Sequence, residues 1–206
     1  MIAVSSSTVE AAIAAVASGE PVVVTDHPDR EDEGDLVVAA EFATRDVIAF
    51  MMDQCRGLIC APVTEERAIR LGLDPMVREN TEMLRTAFTV PVDAADGVTT
   101  GISADDRAAT IAVLADPLAR SSNLVRPGHM FPLIASPGGV RARRGHTEAA
   151  IDLAVLAGLS PVAVICEIAS ADGTMLRGQA LREFSAKHHL VQISIDELVE
   201  HMAAIA

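Results

Sequence analysis

The chain has no tryptophan and no tyrosine, and only five phenylalanines. A core built without large rings must come from Val, Ile, Leu, Ala and Met. There is one lysine, Lys187, on a stretch that reads as a surface helix. Lysine Schiff-base chemistry therefore has no good candidate. Cysteine is scarce as well. Cys55, Cys60 and Cys166 are odd in number and form no C-x-x-C pair, which argues against a disulfide framework or a zinc site. They read as buried thiols in a reducing compartment. No run approaches the ~18 apolar residues of a membrane span. The first residues lack the charged and apolar regions of a signal peptide. The expectation is a cytoplasmic chain that does not enter a membrane. Basic surplus is also missing: the net charge is −13, and no basic face offers itself to nucleic acid.

What is present is aliphatic. Half of the 206 residues are apolar, enough for one domain with a sizeable core. Helical spacing predicts helices over 8–18, 44–54, 64–71, 103–115, 146–157 and 179–189, and a terminal helix capped by Asp196. Strands are expected at 21–25, 36–40, 57–63, 86–93, 129–135, 161–169 and 190–195. Pro91 puts the 86–93 strand at an edge or a bulge, and 140–143 reads as a short extended piece. Strands and helices mix without strict alternation. The fold class is therefore α+β, one domain over 1–206 with a mixed sheet flanked by helices.

Two stretches stand out against this background. From Asp26 to Asp35 there are six carboxylates and one base, Arg30, between two apolar strands. Crowded like charges destabilise a fold unless something neutralises them, and an oxygen-rich site suits Mg²⁺ or Mn²⁺. The bland alternative is a solvated acidic loop. With few apolar side chains to pin it, the loop is expected to be poorly ordered without ligands. Far along the chain, Arg141-Ala142-Arg143-Arg144-Gly145-His146-Thr147-Glu148 opens a helix whose N-terminus can receive an anion. A cation site and an anion site together suggest a metal-dependent enzyme for a phosphorylated small molecule. Glu167 is a lone carboxylate in the most apolar strand, so it is either solvent-facing, paired, protonated or substrate-bound. His129 follows a Pro-Gly turn and is an acid–base candidate. His27 is left outside the site.

Five motifs resemble the 3,4-dihydroxy-2-butanone 4-phosphate synthase family in order and spacing. They are Asp-Arg-Glu-Asp-Glu-Gly-Asp at 29–35, Val-Thr-Thr-Gly-Ile-Ser-Ala at 98–104, Arg-Pro-Gly-His at 126–129, Gly-His-Thr-Glu-Ala at 145–149, and Ile-Cys-Glu-Ile at 165–168 followed by Asp172-Gly173. The resemblance implies that family's α+β fold and the conversion of D-ribulose 5-phosphate to L-3,4-dihydroxy-2-butanone 4-phosphate and formate, a step toward riboflavin. It implies two Mg²⁺ or Mn²⁺ ions per site, with Glu31 and His146 as ligands, and substrate contacts at Arg30, Glu31, Asp35, Arg143, Arg144, Gly145, His146, Thr147 and Glu167. It makes His129 and Glu167 the catalytic pair, and leaves the roles of Asp32, Glu33, Thr99 and Thr100 open. Arg141 and Pro91 depart from the family pattern without touching those positions.

The rival enzyme reading is another metal-dependent sugar-phosphate aldolase or isomerase, and formate release separates the two. The rival of another kind is an acidic binding module, which would not need His129, His146 and Glu167 in their matched places. A positive mean hydropathy suggests apolar surface left for a partner. The resemblance likewise implies a homodimer with its site at the subunit boundary. In many bacteria such a domain precedes a GTP cyclohydrolase II domain, and the sequence leaves that continuation open.

Overall fold

A computed structural model describes residues 8–205 of the chain. The opening residues 1–7, which bear on the absence of a leader, and Ala206 at the tip of the expected last helix lie outside the described residues. Seven strands form one mixed sheet in the order β4-β5-β3-β6-β2-β1-β7. The strands are β1 (Val22–Thr25), β2 (Gly34–Ala39), β3 (Cys60–Val63), β4 (Val92–Ala94), β5 (Leu124–Ile134), β6 (Ala163–Glu167) and β7 (Val191–Ser194). β1 runs parallel to β7 and β3 to β5, whereas the other neighbours are antiparallel. The α+β reading with a mixed sheet holds.

Helices cover both faces, which is why β2 and β3 are buried along their whole length. On one face α2 (Arg45–Phe50), α3 (Glu65–Leu71), α4 (Ala104–Ala115) and α6 (Gly178–Lys187) enclose a core with Ile48, Leu71, Ile111 and Leu181. On the other, α1 (Thr8–Ala17), α5 (His146–Leu156) and α7 (Ile195–Ala204) bring Val9, Val16, Leu153 and Leu198 onto Val22, Val37 and Ile165. Aliphatic side chains fill both layers, as the missing aromatics require. Ser103 and Ser194 accept from the N–H groups of Asp106 and Glu197 and cap α4 and α7. The last helix is therefore capped by Ser194, one position before its first residue, and Asp196 lies inside the first turn.

Several boundaries differ from the sequence reading. Of the strand expected at 86–93, only its end joins β4. Pro91 has no N–H to give a ladder, and Phe88 and Thr89 make single bridges to Leu133 and Pro75. β5 starts at Leu124, ahead of His129, because β4 pairs with its first half: Val92 opposite Met130, Asp93 opposite Val125, Ala94 opposite Leu124. The register shifts between Val92 and Asp93, and the chain crosses that shift at Gly128, where a Cβ would come within 2.0 Å of the Val92 carbonyl carbon. Residues 140–143 are not extended. A 3₁₀ turn covers Gly139–Arg141, held by the Val140 N–H on Asp152 (2.8 Å). The second helix turns π-helical over Met51–Cys55 and stops at Arg56 with φ 67°, so β3 begins at Cys60 rather than at 57.

Candidate active site

β1 and β2 form an antiparallel pair, and the acidic stretch is the loop between them. On the other side of β2, Asp35 pairs directly with Glu167 of β6. Both carboxylates thus stand at the same end of the sheet as the loop. The first turn of α5 packs beneath. Its helix start follows Gly145, which carries no side chain because a Cβ there would meet the Arg143 guanidinium at 2.2 Å and Glu148 at 2.6 Å.

The loop makes polar contacts that its charge alone did not reveal. Asp26, buried at the end of β1, accepts from the N–H of Glu31 (3.0 Å) and of Glu33 (2.9 Å) and from Arg30 Nη1 (2.9 Å). One carboxylate thereby organises the turn around itself. Arg30 also bonds the Glu31 carboxylate. Glu31 faces His146, whose Nδ1 is 3.5 Å from Glu31 Oε2 and 3.9 Å from Asp35 Oδ1. Ligand atoms of Asp26, Glu31 and His146 all lie within 4.8 Å of one another. Asp26 already accepts three hydrogen bonds, so Glu31 and His146 are the better donors to an ion. His146 Nε2 and Asp35 Oδ1 are buried with no hydrogen-bond partner, an arrangement that an added cation or substrate would satisfy.

The electrostatics point the same way. Burial works against charge on His146, but Asp35, Glu31 and Asp26 outweigh it and push the imidazole up to about 9. Burial raises Asp35 to about 7, opposed by His146 and reinforced by Glu167, Glu31 and Glu33. The His146 bond, against burial, and the Arg30 charge hold Glu31 below the usual carboxylate range. Burial, then Glu31 and Glu167, raise Glu33. The pocket concentrates negative charge, relieved by one proton on His146. A divalent ion can replace that proton, so the residues fit the metal.

Arg30, Glu31, Glu33, Asp35 and His146 line a cavity of about 240 Å³, together with Cys60, Leu133, Ile165 and Glu167 on the sheet side. Glu167 is anchored there by the Leu58 N–H on its Oε2 (2.8 Å). Gly57 permits this approach, since a Cβ would lie 2.5 Å from the same oxygen. Across the cavity, Arg143 is fixed by Glu148 (2.7 Å), the Leu84 carbonyl (3.2 Å) and Thr86 Oγ1 (3.3 Å). Its guanidinium and Thr147 sit at the α5 N-terminus, where an anion is favoured.

Of the residues expected from sequence, Arg30, Glu31, Asp35, Arg143, His146, Thr147 and Glu167 meet in this cavity. Gly145 is just behind it. Arg144 is not brought in: it is exposed and pairs with Asp196. His129 is also outside the lining, on β5 beyond the intervening β3. There it forms a second grouping. Asp93, 6% exposed, accepts from the His129 N–H on Oδ1 (2.8 Å) and contacts Nδ1 through Oδ2 at 2.7 Å. A carboxylate partner makes Nδ1 the protonated nitrogen and leaves Nε2 free. Gly101 closes over the pair, its missing Cβ falling 2.1 Å from Asp93 and 2.5 Å from His129. Asp106 holds that loop by accepting from Thr99 N–H (2.9 Å), Thr99 Oγ1 (2.7 Å) and Gly101 N–H (3.0 Å). Sequence reasoning gave no site role to Asp26, Asp93, Glu148, Glu82 or Thr86. Asp93 and Glu148 are buried acids inside regular elements and Asp26 is one immediately after β1, a signal that was present. Nothing marked Glu82 or Thr86.

An acidic cluster with a buried imidazole and a helix start with an arginine, both facing a carboxylate, are the parts a metal-assisted enzyme of small phosphorylated substrates needs. Residues 10–201 match the family model of 3,4-dihydroxy-2-butanone 4-phosphate synthase, and the chain belongs to that family. It is 50% identical over 192 residues to the 3,4-dihydroxy-2-butanone 4-phosphate synthase of Chromobacterium violaceum, covering 93% of this chain and 91% of that one. It is 54% identical over 194 residues to the riboflavin biosynthesis protein RibBA of Salinispora arenicola, covering 94% of this chain but 46% of the relative. The chain thus spans about half the length of that relative. A solved 3,4-dihydroxy-2-butanone 4-phosphate synthase in complex with two magnesium ions superposes with a TM-score of 0.92 at 46% identity, over 96% of this chain and 97% of that one.

Proposed function

We propose that the chain converts D-ribulose 5-phosphate to L-3,4-dihydroxy-2-butanone 4-phosphate and formate. The observation that carries this reading is the meeting of Glu31, His146, Arg143, Thr147 and Glu167 in one cavity, within a chain of this family. Arg143 and Thr147 receive the phosphate, and the Glu148 contact keeps the guanidinium aimed before substrate arrives. Arg30 and Asp35 flank the sugar hydroxyls. Mg²⁺ or Mn²⁺, two ions as in the magnesium-bound relative, held through Glu31 and His146, supplies positive charge for the enediolate that forms next to the ketone. Glu167 exchanges protons with the substrate carbons, and His129 Nε2 is the second acid–base group.

Among the described residues, His129 does not line the cavity that holds Glu167. We therefore place the site at the boundary of a homodimer, with His129 and the Thr99–Ser103 segment completing the partner's pocket. The exposed apolar side chains Ile102, next to Gly101 over the His129–Asp93 pair, and Val125, opposite Asp93 in the sheet, support burial of this face. The chain is read as acting in the cytoplasm, without nucleic acid. Among the described residues no helix is long and apolar enough to cross a membrane. The test is a formate assay on purified protein with ribulose 5-phosphate and each metal. Formate in equal amount to consumed substrate supports the synthase. Substrate consumed without formate gives the aldolase or isomerase reading instead.

A further inference from the structure

The acidic loop is held from two sides. From within, Asp26 takes the N–H groups of Glu31 and Glu33. From outside, Arg177 takes the carbonyls of the same turn: its Nε donates to the Asp32 carbonyl (2.7 Å) and its Nη2 to the Glu31 carbonyl (3.3 Å). The same guanidinium stands 3.4 Å from the Asp32 carboxylate and 3.5 Å from that of Glu33. Asp32 has φ 54°, a left-handed conformation that a non-glycine residue keeps only when its surroundings hold it there.

Arg177 is itself well placed to hold the turn. It is the residue immediately before α6, and one turn later Leu181 packs on Gly34 at the loop exit. A Cβ on Gly34 would come within 2.4 Å of Leu181 Cδ2, so α6 and the start of β2 are locked together. Only a forked donor can reach two successive carbonyls in this way. We infer that Arg177 is a positioning residue: it clamps the backbone of Glu31–Asp32 from the α6 side and so presets the Glu31 carboxylate opposite His146. The inference rests on the proposed role of Glu31 toward the cation.

Mn²⁺ binding by calorimetry without substrate, together with amide hydrogen exchange of the metal-free protein, tests it. Arg177→Ala should weaken Mn²⁺ binding about tenfold, the usual scale for groups that orient a metal ligand. The Glu31 and Glu33 amides should exchange faster, with β2 and β6 unchanged, and kcat at saturating Mn²⁺ should stay near that of the parent. Arg177→Lys keeps the charge but cannot span both carbonyls, so it should restore little. Arg182→Ala, on the same helix but bonded to Gln179, should change nothing. Parent-like Mn²⁺ binding and loop protection in Arg177→Lys would reduce the residue to a neutralising charge and overturn the clamp. So would an Arg177→Ala protein with unchanged loop exchange, or one whose exchange rises everywhere. Glu31→Gln with undiminished Mn²⁺ affinity would instead overturn the metal role of Glu31, and loop exchange would still decide the clamp.

Discussion

The two polar groupings of this molecule are built on opposite plans. The one around Glu31 and His146 is enclosed, over-supplied with acid, and fixed from every side by main-chain contacts. The one around His129 and Asp93 is smaller and open: the His129 side chain is 44% exposed, against 7% for His146. In the first, protein atoms lack partners, which is what a site waiting for an ion and an anion looks like. In the second, every inner atom is satisfied and only the outward nitrogen is free. A finished half-site at a rim makes sense if another surface comes to it.

The sharpest way to break this contrast is to strip the enclosed grouping of its charge. Glu31→Gln should abolish turnover while the protein stays folded by circular dichroism. Full activity, in that variant or in excess chelator, would mean the acids serve solubility alone. Next in size are Glu167→Gln and His129→Asn, each expected to lower kcat by at least ~10² with a smaller change in KM. Loss of affinity alone in both would make them binding residues. Mixing Glu31→Gln with His129→Asn under subunit exchange then asks whether the groupings meet across chains. Hybrids should hold one intact site of two, and activity should return to about a quarter of the parent level for random pairing into two-fold dimers. No return despite hybrid formation would put both groupings to work within one chain. A monomer in sedimentation would remove the shared site.

Smaller effects probe the open grouping itself. Asp93→Asn should cost roughly tenfold in kcat, less than removal of the imidazole it orients, with KM little changed. A parent-like kcat would leave Asp93 a purely structural acid. The smallest effect belongs to Asp106. Hydrogen bonds from Thr99 and Gly101 lower its carboxyl to about 2 from 3.8. A depressed folded value stabilises above the unfolded one and is lost as pH falls through the folded one. Protection of the Thr99 and Gly101 amides should therefore persist at pH 4 and fade between about 4 and 2. Early loss, above pH 4, would show that another group holds the loop.

The fold was legible where side-chain period and punctuation agreed: β1, β2, α4, α5 and β6 lie close to their expected places. It was least legible between Leu73 and Ala94 and again just ahead of His129. There Pro91 removes a ladder donor, and β5 continues past a register shift that no local pattern encodes. Ligand-type residues drew attention in the sequence because acids and histidines in apolar surroundings are costly and conspicuous, and Glu31, Asp35, His146 and Glu167 do meet in one cavity, whereas His129 does not join them. Its supporting residues were harder. Asp26, Asp93 and Glu148 act through backbone N–H groups or a neighbouring side chain, and only the assembled structure says which. Arg144, next to Arg143 in sequence, illustrates the converse. At a helix start, neighbouring side chains diverge, so one arginine enters the cavity and the other turns to Asp196.

The separation of Glu31 and His146 along the chain has a consequence for the folding protein. Glu31 belongs to the β1–β2 hairpin, a local unit, whereas His146 reaches it only through the pairing of β6 with β2 and the docking of α5. A chain lacking those distant contacts would hold half a chelate. A divalent cation bound through both residues, as proposed, would favour the native state alone and so distinguish finished molecules from unfinished ones.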